Sequence, residues 1–306
     1  MAVNKSGMLK VAGLSLLGFC AVSIGVDRTN IGPIASQIAG FSGALLGGLA
    51  ARRRALAAEK SSGPPPAWAA EFRRDGYTCF PQLVPAQLVE AARAKITQSL
   101  AEHYDESRLV EYNNRSWCPE LRRAPEILHL LNNPEVRPVL DAALGKRRYR
   151  SSPGQIAIRQ AHTADQPIEP VPHIDGIPTP DNGLEGNDLH TFTALVGVFL
   201  TEVRMEFAGN FTVWPGSHTL LEQHFKQRGE AALAEGMPAI PLGAPLQLLC
   251  RPGDVVLCHY ELAHAAAVNT SDDDRIAVFF RVSLKDLATP RQRWYNLTHI
   301  WHGWQI

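Results

Sequence analysis

The chain has 306 residues, of which 45% are hydrophobic, and its 30 basic and 30 acidic residues give a formal net charge of zero. A chain of this size can bury a full hydrophobic core, which excludes a disordered polyelectrolyte. The balanced charge, without a basic stripe alternating with aromatic residues, excludes the electrostatic surface that nucleic-acid binding needs. The five cysteines include no C-x-x-C pair, which argues against a disulfide framework or a zinc knuckle and favours a reducing compartment.

The apolar N-terminal segment, residues 1–58, differs in composition from the rest of the chain. It contains two uncharged runs, Val11–Val26 and Thr29–Ala51, with lysines before the first and an arginine triplet after the second. This pattern favours membrane association through residues 8–51, although the first run is short for the ~20 residues of a crossing helix. A cleaved signal peptide, an organellar presequence and a soluble helix pair are the alternatives.

A proline-rich stretch, residues 59–67, follows this segment and predicts an extended linker. We therefore expect a globular domain at residues 68–306. The predicted localisation is a membrane-associated or organelle-targeted protein whose globular domain lies in a reducing compartment. The oligomeric state is left open by the sequence.

Within the globular domain, predicted helices precede predicted strands. Apolar residues that recur every four positions predict a helix over Pro85–Tyr104, and a second helix is predicted over Pro125–Leu144. Short strands bounded by turn residues are then predicted at Gln155–Gln160, Pro172–Asp175, Phe192–Thr201, Asn210–Trp214, Leu246–Leu249, Val255–His259 and Ile276–Val282. This order predicts an α+β fold, mainly β, with an antiparallel sandwich or barrel.

A candidate metal centre lies in this run of strands. His173 and Asp175 are two residues apart in a predicted strand, so their side chains are expected on the same face. A distant histidine, His259 or His264, would complete a set of two imidazoles and one carboxylate. That set is the ligand triad of non-heme Fe(II) oxygenases, which leaves coordination positions open.

From Gly76 to the C-terminus the sequence resembles the phytanoyl-CoA dioxygenase family of Fe(II)/2-oxoglutarate oxygenases. The motifs that carry the resemblance are, in chain order, Gly76-Tyr77 with Phe80-Pro81, His173-x-Asp175, Gly209-Asn210 running to Pro215-Gly216-Ser217-His218, and His264 with Asn269, Ser271 and Arg275. The resemblance implies a double-stranded β-helix, a cupin-like jelly roll, with supporting N-terminal helices. Residues 68–306 would then form an oxygenase domain.

The same resemblance implies roles for individual residues. His173, Asp175 and His264 would be the catalytic ligands of Fe(II), with positions left for 2-oxoglutarate and O₂ as cosubstrates. Arg275, eleven positions after the distal histidine, would bind the distal carboxylate of 2-oxoglutarate with its planar, charged fork. Because Arg275 is registered to His264, we expect His264 rather than His259 to be the third ligand.

Three further residues are less clearly assigned by the sequence. Arg281 shares a predicted strand face with Arg275 and is the rival anion-binding residue. On the strand before the metal motif, the apolar face is expected to point inward, which would make Gln160 an additional hydrogen-bonding residue for the cosubstrate. His218 is expected to cap a turn or to support the metal ligands.

The resemblance implies an oxidoreductase, a dioxygenase that hydroxylates a small-molecule substrate and releases succinate and CO₂. An N-terminal membrane element would favour a lipid-like or acyl substrate. Asp175 favours hydroxylation, since related halogenating enzymes have a small residue at that place. Desaturation or epimerisation of a specialised metabolite at the same metal site is the first alternative. A non-catalytic, cupin-like binding protein and a membrane-tethered interaction protein are the others.

Overall fold

The computed structural model describes residues 64–179, 183–184 and 188–306. Within these ranges no helix is long and apolar enough to cross a membrane. The prediction of a membrane-associated or organelle-targeted protein is therefore wrong on this finding, and its basis, residues 8–51, lies outside the described residues. The N-terminal segment, 1–58, lies outside them as well, so the proposed division into segment, linker and domain stays a prediction.

In the described part of the chain most helices precede most strands, as expected. The helices are α1 (Ala69–Asp75), α2 (Ala86–His103), α3 (Leu109–Asn114), α4 (Pro125–Leu128), α5 (Val136–Leu144), α6 (Ser217–Arg228) and α7 (Pro290–Thr298). The strands are β1 (Tyr77–Phe80), β2 (Tyr149–Ser151), β3 (Gln155–Arg159), β4 (Ala194–Phe199), β5 (Phe211–Val213), β6 (Leu246–Gln247), β7 (Val255–His259), β8 (His264–Ala266) and β9 (Arg275–Leu284). Short 3₁₀ helices lie at Glu106–Arg108, Pro119–Arg123 and Gly229–Glu235.

The strands form two antiparallel sheets. The larger has the order β1-β7-β4-β9-β2, with β3 also paired to β9, and the smaller has the order β6-β5-β8. Strand β9 is long enough to pair with β3 through its first half and with β2 through its second half. This pairing places the beginning of β9 and the whole of β3 side by side, which matters for the site.

Side chains along each strand of the larger sheet alternate between its two faces, and both faces are buried. One face packs against the helices and forms a first core, to which β4 and β9 contribute Val196, Val198, Val278 and Phe280. The opposite face forms a second core together with the smaller sheet, with side chains such as Leu195, Phe199, Phe211, Val213 and Phe279. The candidate site lies on the side of the second core.

The first predicted helix is confirmed as α2, whereas the second is two helices, α4 and α5. The break occurs at Asn133, whose buried side chain binds the backbone on both sides. Its Nδ2 donates to the carbonyls of His129 and Leu130, and its Oδ1 accepts from the N–H groups of Glu135 and Val136. An Asn that satisfies its own neighbouring backbone competes with the helix and ends it.

Most of the predicted strands are confirmed, with ends that differ by at most two residues. The predicted strand Pro172–Asp175 is wrong: only His173 makes a bridge, to His264, and Asp175 begins a turn that continues through Gly176 at φ 73°. A left-handed glycine directly after the motif ends any extended pairing there. Strands β1, β2 and β8 and helices α1, α3, α6 and α7 were not predicted.

Candidate metal centre

The backbone brings the two candidate histidines side by side. The N–H of His173 donates to the carbonyl of His264 at 3.0 Å, and the N–H of His264 donates to the carbonyl of His173 at 2.9 Å. His264 opens β8, where it is paired with Val213 of β5. The two imidazole ring centroids are consequently 4.6 Å apart, so this bridge, and not a continuous strand, fixes the relative position of the rings.

Asp175 completes a compact group with the two histidines. Its Oδ1 lies 3.7 Å from Nε2 of His173 and 3.9 Å from Nε2 of His264, and the three potential ligand atoms are all within 4.8 Å of one another. Nδ1 of His264 donates to the carbonyl of Leu262 at 2.9 Å, which fixes the tautomer and leaves a lone pair on Nε2. The donor set and its geometry therefore fit a divalent transition metal.

The competing histidines are engaged elsewhere. Nε2 of His259 donates to the carbonyl of Ile300 at 2.8 Å, while its Nδ1 accepts from the N–H of Glu261 at 3.0 Å. Burial, together with the nearby His218, lowers the pKa of His259 to about 3, so the ring is neutral and both nitrogens are used. His218 is also buried, and its Nε2 donates to the carbonyl of Arg73 at 3.2 Å. Neither His259 nor His218 belongs to the group formed with Asp175, so His264 stays the predicted third ligand.

Arg281 binds the carboxylate of Asp175 and is not a free anion-binding residue. Its Nε and Nη2 lie 3.0 and 2.6 Å from Oδ2 of Asp175, and its Nη1 donates to Oε1 of Gln155 at 2.6 Å. Burial raises the pKa of Asp175. The positive charge of Arg281, with a contribution from the two nearby histidines, outweighs burial and lowers this pKa to about 2. Asp175 is thus ionised at neutral pH. Of the two arginines, Arg281 is thus already paired, and Arg275 stays the predicted anion-binding residue.

Arg275 lies at the opposite end of β9 and binds only backbone carbonyls. Its Nε donates to Gly209 at 2.6 Å and its Nη1 to Ala157 at 3.2 Å. Burial, followed by the nearby charge of Arg159, lowers the pKa of Arg275 to about 9, so the guanidinium remains charged at neutral pH. Arg159 is its partner in the β3–β9 register, and no acidic side chain of the described ranges pairs with either arginine.

The Gly-Asn motif shapes this arginine end of the site. Gly209 has φ 71°, and a Cβ there would lie 2.8 Å from the Cβ of Arg159 and 3.1 Å from the Cβ of Arg275. Only glycine allows the backbone to approach both arginines so closely. The neighbouring Asn210 is fully buried, and its Nδ2 donates to the carbonyls of Met205 and Leu248 at 3.0 and 3.1 Å.

The prediction for the strand before the metal motif is wrong. All five residues of β3 border the cavity, but the buried side chains of Ile156 and Ile158 belong to the core under the helices, on the face opposite Gln155, Ala157 and Arg159. The predicted Gln160 is not among the residues that line the cavity. Because both faces of this sheet are buried, an apolar face does not by itself identify the inside.

A cavity of about 110 Å³, open to solvent, joins the metal group to Arg281, Arg275 and Arg159. Its apolar and aromatic wall is formed by Tyr112, Trp117, Leu195, Phe211 and Phe279. Tyr112 and Trp117 were not predicted as site residues. Both line the cavity, and a backbone bridge to Ile156 holds Trp117 beside β3. No motif marks them, since that bridge depends on how the helical part meets β3.

Comparisons with known proteins identify the class to which this site belongs. The chain belongs to the phytanoyl-CoA dioxygenase (PhyH) family, because residues 72–277, more than half of its length, match that family. The family consists of non-heme enzymes that depend on iron and 2-oxoglutarate. The predicted family, the enzyme class and the cofactors are therefore confirmed. No curated protein matches the chain at a significant level.

Solved structures of similar fold support the predicted architecture. HygX from Streptomyces hygroscopicus, solved with nickel and 2-oxoglutarate bound, is 18% identical with a TM-score of 0.50, and the match covers 73% of this chain and 88% of HygX. SnoK, a non-heme alpha ketoglutarate dependent carbocyclase from nogalamycin biosynthesis, is 21% identical with a TM-score of 0.49, and the match covers 72% of this chain and 87% of SnoK. The likeness to HygX, together with the antiparallel sheets, confirms the mainly β, cupin-like fold class.

Proposed function

We propose that this protein is an Fe(II)- and 2-oxoglutarate-dependent dioxygenase that hydroxylates a small-molecule substrate and releases succinate and CO₂. The iron ligands in this proposal are His173, Asp175 and His264, and Arg275 binds the distal carboxylate of 2-oxoglutarate. The observation that carries the proposal is the convergence of these three ligand atoms within 4.8 Å in a cavity that also contains Arg275.

The protein side of the chemistry follows from the donors. Two neutral imidazoles and one carboxylate suit Fe(II) and leave positions for small ligands. When bound, iron and 2-oxoglutarate supply the activation of O₂ that oxidises an otherwise unreactive C–H bond. The chain orients the reactants, and the side chains of Leu195, Phe211 and Phe279 give the same cavity an apolar wall.

The charge distribution favours 2-oxoglutarate as the cosubstrate. Arg275 and Arg159 supply two positive charges without an acidic partner in the described part of the chain. Arg275 donates hydrogen bonds from Nε and Nη1 to backbone carbonyls. The N–H groups of Nη2 therefore remain as donors for a carboxylate. A dianion with one carboxylate at the metal and the other at Arg275 satisfies both ends of this cavity.

The cavity wall suits a substrate with a hydrocarbon portion. The cavity has hydrophobic and aromatic side chains in its lining, as small-molecule sites commonly do, and Tyr112 and Trp117 are among them. A lipid-like or acyl substrate is consistent with that wall. The complete ligand set, together with an Arg275 that has no acidic partner in the described residues, makes a non-catalytic binding protein the weaker alternative.

The test uses the full-length chain, purified without oxygen and loaded with Fe(II) and then with 2-oxoglutarate. We expect the weak visible metal-to-ligand charge-transfer band of an Fe(II)–2-oxoglutarate complex. The band should be lost in His264→Ala and in Arg275→Ala, and kept in His103→Ala, which removes an exposed histidine of α2. A folded wild-type protein that takes up no iron and shows no band would rule out the proposal.

With the band established, the reaction itself is tested by O₂-dependent succinate release. Acyl-CoAs, free fatty acids and amino acids are supplied one at a time, and products are analysed by mass spectrometry. A hydroxylated product formed with equal amounts of succinate supports the proposed reaction. A product that has lost two hydrogens, or one with inverted configuration, would instead establish desaturation or epimerisation.

A further inference from the structure

The two oxygens of the Asp175 carboxylate have different surroundings. Both Nε and Nη2 of Arg281 point to Oδ2, at 3.0 and 2.6 Å. Oδ1 faces Nε2 of His173 and of His264 instead, at 3.7 and 3.9 Å. One oxygen is therefore taken up by charged N–H donors, while the other is directed to the place where the histidine ligand atoms meet.

Arg281 is itself held in position from several directions. It lies in the middle of the larger sheet, on β9, opposite Leu195 of β4. Its Nη1 donates to Oε1 of Gln155 on β3 at 2.6 Å, and its Cζ is 5.7 Å from the ring centroid of Phe192. A guanidinium fixed by a strand, an amide and an aromatic ring loses little conformational entropy when it binds the carboxylate.

The number of carboxylate oxygens that bind the metal matters for the proposed chemistry. A carboxylate can bind a cation through one oxygen or through both. Binding through both would occupy one of the positions that 2-oxoglutarate and O₂ need in a site of this type. A free aspartate at the edge of a turn has the freedom to rotate into that arrangement, whereas a carboxylate with Oδ2 already bound does not.

We propose that Arg281, oriented by Gln155, is a positioning residue that restricts Asp175 to Oδ1 as its only metal donor. The inference rests on the proposed iron site and adds to it a residue pair outside the ligand set. Arg281 also neutralises the ligand charge, so that the metal and its anionic cosubstrate meet a less negative carboxylate. Gln155 and Arg281 thus together support Asp175, the negatively charged member of the proposed ligand triad.

The experiment compares Fe(II) affinity and the spectrum of the Fe(II)–2-oxoglutarate complex in Arg281→Gln, Arg281→Lys and Gln155→Leu. Affinity is measured without oxygen by competition with a chromogenic chelator. Removing a residue that orients a metal ligand typically weakens metal binding by about 10- to 100-fold, and we expect that loss in Arg281→Gln. Arg281→Lys, which keeps the charge but not the fork, should recover only part of the affinity.

Gln155→Leu is the second variant, since it leaves the Arg281–Asp175 pair intact and removes only its support. We expect a weaker effect in the same direction and a shifted charge-transfer band. The matched control is Arg150→Gln, which removes an exposed arginine of β2 and should bind Fe(II) as the wild type does. Thermal unfolding followed by circular dichroism reports whether each variant is folded.

The outcomes separate this inference from the proposed function. A wild-type protein without the charge-transfer band would contradict the iron site itself. A wild type with the band, and folded Arg281→Gln and Gln155→Leu variants with unchanged Fe(II) affinity and an unchanged band, would overturn the positioning role alone. Lower thermal stability with unchanged affinity would also overturn it, because Arg281 would then serve only to neutralise a buried acid.

Discussion

The two arginines on the site face of β9 are used in opposite ways. Arg281 is paired with Asp175 and Gln155, so its charge is compensated within the protein. Arg275 binds backbone carbonyls only and lies next to a second arginine, Arg159, so its charge is not compensated by an acid of the described residues. The same residue type on the same strand face is thus paired with an acid at one end and without an acidic partner among the described residues at the other.

This difference follows from what each end has as neighbours. Burying an ionised group without a partner costs free energy. A buried guanidinium without an acidic partner is therefore typical of a place where an anion binds. At the Asp175 end, the compensation is made during folding. At the Arg275 end no acid of the described residues compensates the charge, and in the proposed function a ligand does so. The two ends can therefore be tested separately with iron and with 2-oxoglutarate.

The largest effect is expected from Arg275→Gln, which removes the charge at the anion end. Hydrogen bonds to charged groups contribute about 1.5–3 kcal/mol each, so 2-oxoglutarate should bind on the order of 100-fold more weakly. Fe(II) affinity should stay unchanged, because Arg275 touches none of the three metal-binding side chains. Titration of the charge-transfer band with 2-oxoglutarate gives the first quantity, and chelator competition gives the second. Equal losses of both would abolish the distinction between the two ends.

The sequence predicts which residues come together in the candidate site better than it predicts their surroundings. The spacing of His173, Asp175, His264 and Arg275 could be recognised because each belongs to a short motif with fixed offsets. The contact between Arg281 and Asp175 could not, since it joins residues 106 positions apart through the turn after the metal motif. Such a contact depends on the register of the sheet, which no local pattern specifies.

The fold shows the same division between local and long-range information. The amphipathic periodicity of α2 and the continuous apolar run of β7 predict their own structure. In β3 the same method failed, because the sheet has one core under the helices and another beside the smaller sheet, and Ile156 belongs to the first. The periodicity identified two faces correctly, but only the tertiary packing decides which of them contains the cavity.

A smaller effect, on stability, is expected from Gly209→Ala. The backbone of Gly209 is left-handed, and the added Cβ would lie 2.8 Å from the Cβ of Arg159, an atom that cannot move without its strand. We expect a loss of roughly 1–3 kcal/mol in the free energy of unfolding, measured by chemical denaturation, and weaker 2-oxoglutarate binding as Arg275 shifts. Gly243→Ala is the control, since Gly243 also has positive φ but open space around it. An equal loss in both variants would show that the close approach to the arginines is unimportant.

The smallest effect is expected from Arg159→Gln. This variant tests whether Arg275 alone, or Arg275 together with Arg159, binds the proposed cosubstrate. Arg159 is more exposed than Arg275, and its side-chain contact, from Nη1 to Oδ1 of Asn113, is long at 3.5 Å. We expect 2-oxoglutarate to bind about 5- to 10-fold more weakly, with most of the affinity restored in Arg159→Lys, because a partly solvated charge acts at longer range and without bidentate geometry. The difference between Arg159→Gln and wild type should shrink at high salt, which screens partly exposed charges. If 2-oxoglutarate affinity is unchanged at low salt, Arg275 alone binds the cosubstrate, and the charge of Arg159 is left for another anionic group in the cavity.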